Sequence, residues 1–161
     1  MMACTPNYTR LWIPPGEPGT WATLHQMRML ARQVTTRIQQ RALLLGNPES
    51  VNNYIRSRWV IVPDPPDAEF VMGPDLQLCQ EQQNGYLYGD CDDSATLAAS
   101  LLYTLGIPCW FVAIRLPGEI EFSHVWTRTL SVDSMFLDID PIVSEAALPI
   151  TQFAEKLELG V

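Results

Sequence analysis

A cysteine set between a glycine turn and an apolar helical stripe constrains this chain more than any other feature. The run Tyr88-Gly89-Asp90-Cys91-Asp92-Asp93-Ser94-Ala95 leads into Ala98, Leu101, Leu102 and Leu105. That spacing predicts a buried helix over Cys91–Leu105. Asp90 is placed to cap it, Asp92 and Asp93 suit the positive end of its dipole, and Gly106-Ile107-Pro108 ends it. A cysteine on the first turn meets free backbone N–H groups, which lowers the cost of a thiolate, while the three aspartates oppose it in part. The local sequence leaves a second reading open, in which Cys91 is a small buried residue.

Downstream the pattern changes to short alternating runs. Cys109–Leu116 reads as a strand, Pro117-Gly118-Glu119 as a turn, and Ile120–Leu130 as its hairpin partner. Ser131–Ser134 turns again into a strand over Met135–Ile139. His124 shares a face with Phe122 and Trp126, and Asp138 and Asp140 share a face of the next strand. Cys91, His124 and Asp140 therefore supply a nucleophile, a base and a group to orient the base, the parts of thiol-based acyl transfer. Asp138 is the alternative acid, because Asp140 before Pro141 also suits a turn cap. His25, the other histidine, falls in the first helix.

Residues 1–19 read as an irregular arm rich in proline and glycine. A long helix over Trp21–Leu45 follows, with Thr20 as its cap and Gly46-Asn47-Pro48 as its stop. A second helix over Ser50–Trp59 and a short strand at Val60–Val62 come next. The stretch from Pro63 to Asp90 reads as a long proline-rich connection, of a length that suits a binding loop or lid. A terminal helix is expected over Ile150–Leu159. The chain is thus a single α+β domain over 1–161, with N-terminal helices, a central helix opened by the cysteine, and an antiparallel sheet.

Composition narrows the function. With 161 residues and 47% apolar content the chain can bury a sizeable core. A net charge of −8 argues against a nucleic-acid partner. No apolar run reaches the roughly 18 residues of a membrane helix, so no membrane partner is expected. Met1-Met2-Ala3-Cys4-Thr5-Pro6 lacks the pattern of a signal peptide. Cys4, Cys79, Cys91 and Cys109 contain no CxxC pair, so a zinc cage is not expected, and free thiols in a reducing cytoplasm are. The acids at 90, 92, 93, 138 and 140 are hard-cation ligand types, but the EF-hand pattern is missing, so no metal or other cofactor is expected.

Four blocks carry a resemblance: Gly89-Asp90-Cys91-Asp92-Asp93, Leu105-Gly106-Ile107-Pro108, His124-Val125-Trp126 and Leu137-Asp138-Ile139-Asp140-Pro141. In that order they resemble the transglutaminase-like superfamily, over a core motif region of 88–141. The resemblance implies a papain-like α+β fold with Cys91 as nucleophile, His124 as base and Asp140 as orienting acid. It also implies an oxyanion hole made by the Cys91 backbone N–H and an upstream side chain, for which Trp59, Gln83, Tyr86 and Tyr88 are candidates. A protein or peptide substrate is implied, attacked through a thioester, with hydrolysis slightly favoured over amine transfer. More narrowly, the long first helix, residues 63–69 and the Gly-Asp-Cys-Asp-Asp run look similar to transglutaminase-like proteins of tailed phages and prophages. That implies phage structural proteins as partners and a place in the host cytoplasm or virion. The alternative it carries is a catalytically silent domain with an assembly role.

Overall fold

The helix expected from Cys91 forms, and the rest of the fold is built around it. The computed structural model describes residues 4, 8–11, 14–65, 68–144, 150 and 152–161. In chain order the elements are β1 (Tyr8–Leu11), α1 (Glu17–Ala31), α2 (Thr36–Leu45), α3 (Pro48–Arg58) and β2 (Trp59–Ile61). They continue with β3 (Glu69–Met72), α4 (Pro74–Asn84), β4 (Leu87–Gly89) and α5 (Cys91–Thr104). The chain closes with β5 (Cys109–Arg115), β6 (His124–Leu130), β7 (Phe136–Ile139) and β8 (Glu155–Gly160). The result is a mixed α+β fold in which α5 lies between the other helices and an antiparallel sheet of order β7-β6-β5-β8.

Every residue of α5 from Asp92 to Leu102 is buried. Small side chains at Ala95, Ala98 and Ala99 let neighbouring elements approach, while Leu97, Leu101 and Leu102 fill the space between them. Each such leucine stabilises the fold by roughly 1.5–3 kcal/mol through the apolar area it removes from water. The sheet meets α5 through the alternate residues of β6. Thr127 Oγ1 donates to the Ala95 carbonyl at 2.7 Å, which sets the height of β6 along the helix. On the other face, Val112, Ile114 and Trp126 form a second small apolar cluster.

Several expectations are corrected. The helix over Trp21–Leu45 is two helices, broken after Ala31. Thr35 caps the second, its hydroxyl accepting from the Ile38 N–H and donating to Asp75 on α4 at 2.5 Å. A capping threonine held by a distant carboxylate outweighs the helical spacing around it, as a cap is worth about 1 kcal/mol. Thr20 caps nothing: α1 starts at Glu17, after Gly16. The arm over 1–19 is not wholly irregular, since Tyr8–Leu11 pairs antiparallel with Glu69–Met72; its residues 1–3, 5–7, 12 and 13 lie outside the described residues.

The connection from Pro63 to Asp90 is also corrected, because it holds β3, α4 and β4. Pro74 sits at the first helical position, where its missing N–H is harmless, and Gly85 ends α4 at φ 85°. Residues read as loop punctuation are helix punctuation. The terminal helix over Ile150–Leu159 is instead strand β8, paired with β5. Leu157 and Leu159 pack on the core while Lys156 and Glu158 face out, a period of two rather than 3.6.

Four free thiols were expected, but Cys4 is joined to Cys79 on α4, and only Cys91 and Cys109 are free. Denatured in the absence of reductant, the protein should take up label at Cys91 and Cys109 alone. Peptide mapping checks this, and label on Cys4 or Cys79 would show the pair to be open.

Candidate functional site

The turn before Cys91 depends on a glycine and on an aspartate that reaches backwards. Gly89 has φ 146°, and a Cβ there would lie 2.3 Å from Asp93 Oδ2. The space is needed because the Asp93 carboxylate folds over this peptide. It accepts from the backbone N–H of Asp90, and from that of Met72 on β3 at 2.6 Å. This is the returning half of a capping box: the acid three residues into the helix satisfies the N–H of the cap residue. Asp90 holds the cap position but makes no side-chain cap bond, contrary to its expected role. Gln77 completes the turn by donating to the Asp93 and Met72 carbonyls.

The sulfur of Cys91 accepts from the backbone N–H of Val125, which places the start of β6 against the start of α5. Cys91, His124 and Val125 line one cavity of about 450 Å³. Its apolar wall is made by Leu24, Met27 and Phe122, and its acidic wall by Glu69, Asp90, Asp92 and Glu121. Glu121 also accepts from the Gly16 N–H at 2.6 Å, which joins the start of α1 to the loop before β6.

His124 Nε2 lies 2.5 Å from Asp140 Oδ2. Asp140 is 1% exposed, and its other oxygen accepts from the N–H groups of Ile142 and Val143, so the carboxylate is fixed. Asp138 does not reach the histidine. It accepts from Trp126 Nε1 at 2.9 Å and is gripped by Arg128 at 2.7 and 2.9 Å. His25 stands apart on α1, beside Arg28 and Trp21.

The upstream oxyanion candidates do not converge on this cavity. Trp59, Gln83, Tyr86 and Tyr88 are all absent from its lining. Gln83 lines a separate depression with Arg37 and Asp75. Tyr86 is exposed and packs near Tyr88, and the indole N–H of Trp59 is buried elsewhere without a partner. Hydroxyls from Thr20, Thr23 and Ser123 line the cavity instead. Nothing in the local sequence marks those three, and Glu69 was hidden in a stretch read as loop.

The electrostatics run against a resting thiolate. Burial, and then the charge of Asp90, push the Cys91 thiol up to about 12, and the Val125 N–H offsets only part of this. Burial also pushes Asp93 up to about 8 and Asp92 well above its ordinary range, each aided by the other acids. Asp92 is 3% exposed and meets no N–H or hydroxyl donor; its hydrogen-bond contacts are with the carboxyls of Asp90 and Glu69, which suits a proton held on Asp92. Asp90, Asp92 and Asp93 each offer a carboxylate oxygen, all within 4.8 Å of one another. These are the residues that fit a hard divalent cation, with Asp93 already committed on one side to backbone N–H groups.

No family model matches this chain, and no curated protein matches it. Among solved structures it is similar to Legionella pneumophila LapG in a calcium-bound form, at 15% identity over 83% of each chain and a TM-score of 0.47. A likeness of that size decides nothing about chemistry. No helix among the described residues is long and apolar enough to cross a membrane.

Two outcomes follow from the turn and its acids. Gly89→Ala should destabilise the protein by roughly 2–3 kcal/mol in denaturant titration, since backbone strain adds to displacement of Asp93. A loss no larger than that of an exposed substitution would show that the back-cap is dispensable. In chelator, stability should fall as pH rises from 3.8, the ordinary aspartate value, towards about 8. Across that window the folded protein keeps protons that the unfolded chain has released. Asp92→Asn should therefore melt higher than the parent at pH 8, with the gap closing towards pH 4. Thermal melts at the two pH values check the sign.

Proposed function

We propose that this chain is a transglutaminase-like cysteine enzyme of papain-like architecture, acting on a peptide or carboxamide bond of a protein substrate. The observation that carries the reading is the fixed bond between His124 and Asp140 beside a cavity that holds a free cysteine. Cys91 is the nucleophile, His124 the base and Asp140 the orienting acid. A free thiol and a pinned imidazole line that cavity together. This weighs against the silent assembly role among phage structural proteins that the narrower resemblance implies.

The high resting value of the thiol favours general-base attack over a standing ion pair. As Cys91 Sγ attacks the carbonyl carbon, His124 takes the thiol proton on the ring nitrogen that Asp140 leaves free. Asp140 holds the Nε2–H tautomer and stabilises the imidazolium. The oxyanion meets the Cys91 backbone N–H at the helix start, where N–H groups have no partner within the helix. Collapse expels the amine, which takes the proton back from His124, and leaves a thioester. Water, deprotonated by His124, then attacks the thioester, releasing the acid and restoring the thiol. An amine in place of water gives transfer. Hydrolysis is the slightly favoured outcome. A divalent cation held by Asp90 and Asp92 would offset the carboxylate charge that opposes the thiolate.

Alkylation of Cys91 tests the pair, with Cys109→Ala as background and the Cys4–Cys79 disulfide intact. Reactivity near pH 7 should fall at least tenfold in His124→Ala, a modest share of what a base contributes. Turnover of any peptide or amide substrate found by screening should vanish in Cys91→Ser. It should fall further in Asp140→Ala than in Asp138→Ala. A Cys91 that reacts slowly and is indifferent to His124 would transfer the reading to the assembly role.

A further inference from the structure

Two aspartates on one sheet face raise the question of what the second one does. His124, Trp126 and Arg128 alternate along β6, facing the same side as Asp138 and Asp140, and Arg128 is paired with Asp138 in the β6–β7 register. The imidazole of His124 is held on its edge by Asp140. Its face lies against the indole of Trp126, with ring centroids 5.8 Å apart and planes inclined by 28°. Trp126 is 1% exposed and packs with Val112 and Ile114. Its one donor, Nε1–H, goes to Asp138, and Asp138 cannot swing because Arg128 grips both of its oxygens. Arg128 also stacks over Trp126, with its guanidinium carbon 5.9 Å from the ring centre.

We infer that Trp126, anchored through Asp138 by Arg128, is a positioning residue that fixes the plane and tautomer of His124. The inference rests on the reading of His124 as the base of Cys91. His124 is the first residue of β6 and follows the irregular segment 116–123, so its backbone alone does not settle the ring plane. An edge bond to Asp140 leaves the ring free to tilt about that bond, and a flat wall against its face removes the tilt. The wall works only if the indole is itself locked, which its hydrogen bond to Asp138 achieves. Arg128 has a second effect. By neutralising Asp138 it leaves one carboxylate, Asp140, to bind the imidazole, so only one ring orientation is favoured. The guanidinium fork suits this bidentate grip, which lysine would not reproduce. A base whose ring holds the wrong tautomer loses most of its catalytic value although every residue is present.

The test uses Trp126→Phe, which keeps an aromatic wall without the anchor, and Asp138→Asn, which keeps the volume but turns an amide towards Arg128. Both avoid the large cavity that Trp126→Ala would leave in a buried cluster. The primary readout is the ring nitrogen signals of His124 in protein labelled with ¹⁵N at histidine, at a pH where the ring is neutral. The parent should show a single Nε2–H form, and each variant a mixture of both tautomers. In the same variants, alkylation of Cys91 should slow roughly tenfold, in line with the sensitivity of positioned groups to small displacements. A merely structural role would lower the melting temperature and leave the tautomer unchanged. A pure Nε2–H signal in both folded variants overturns the inference. If alkylation of the parent proves independent of His124, the proposed enzymatic reading fails, while the ring signals still decide whether Trp126 sets the tautomer.

Discussion

The burial of α5 on all sides sets the terms for everything else in this molecule. A helix with no solvent face must satisfy its neighbours in every direction, and its first turn must do so with polar residues. At the sheet side, the Thr127 bond to the Ala95 carbonyl fixes β6 along the helix axis. Two residues upstream of Thr127, on the same face, that register sets Val125 against Cys91, with His124 next to it in the chain. On the opposite side, Asp93 ties the same turn to β3 through Met72, and β3 ties to the N-terminal arm through β1. Cys91 is thus held between two parts of the chain that are far apart in sequence. Changes that loosen either tether act on its environment without touching the cysteine.

The acids around Cys91 show a site in which stability and chemistry oppose each other. Buried carboxylates are stabilising only when donors reach them. Asp93 meets that condition with two backbone N–H groups, while Asp92 faces only the carboxyls of Asp90 and Glu69. The cost of Asp92 is borne by the surrounding core, where apolar burial is extensive. Burial first, and then the charges of Asp90, Glu69 and Asp140, keep the Cys91 sulfur protonated at rest. Reaction then requires either removal of that negative field or transfer of the thiol proton at the moment of attack. Asp140 is the contrasting case. Its three acceptor contacts keep it fixed and available to the imidazole.

What was legible in the sequence follows from which signals are local. The helix at Cys91, the hairpin over β5 and β6, and the face shared by Asp138 and Asp140 are set by spacing and by glycine and proline at turns. The helix forms and the strands pair, but β6 begins at His124 rather than Ile120 and β7 ends at Ile139, short of Asp140. The break at Thr35 was illegible because its cap is held by Asp75, forty residues away, and helical spacing continues across it. The tail was misread because Lys156 and Glu158 suit a helix surface as well as a strand edge, and only pairing with β5 decides. The disulfide joins an arm and a helix that no pattern connects. For the site, the cysteine, the histidine and both candidate acids were legible. The residue pattern leaves Asp138 and Asp140 open and the resemblance implies Asp140; in the structure His124 bonds to Asp140, while Trp126 and Arg128 hold Asp138. Trp59, Gln83, Tyr86 and Tyr88 lie outside the cavity for a related reason: residue type marks them, while the fold brings α1, Glu69 and the 121–125 stretch to Cys91.

The two free cysteines show why burial alone is no guide to role. Both thiols are pushed up to about 12, and in both the largest cause is desolvation. For Cys109 that is the whole cause, and its sulfur lies 3.9 Å from the Ala99 carbonyl, inside the core. It lines neither the cavity that Cys91 lines nor the depression beside Asp75. Cys91 carries in addition the charges of Asp90, Glu69 and Asp140, which are responsive to protonation and to bound cations. It also lines a cavity shared with an imidazole. A desolvation penalty is fixed by the fold, whereas a Coulombic one is released when the neighbouring charge is neutralised. The same high resting value therefore means permanence at Cys109 and a controllable threshold at Cys91. The two thiols thus differ in cause rather than in magnitude.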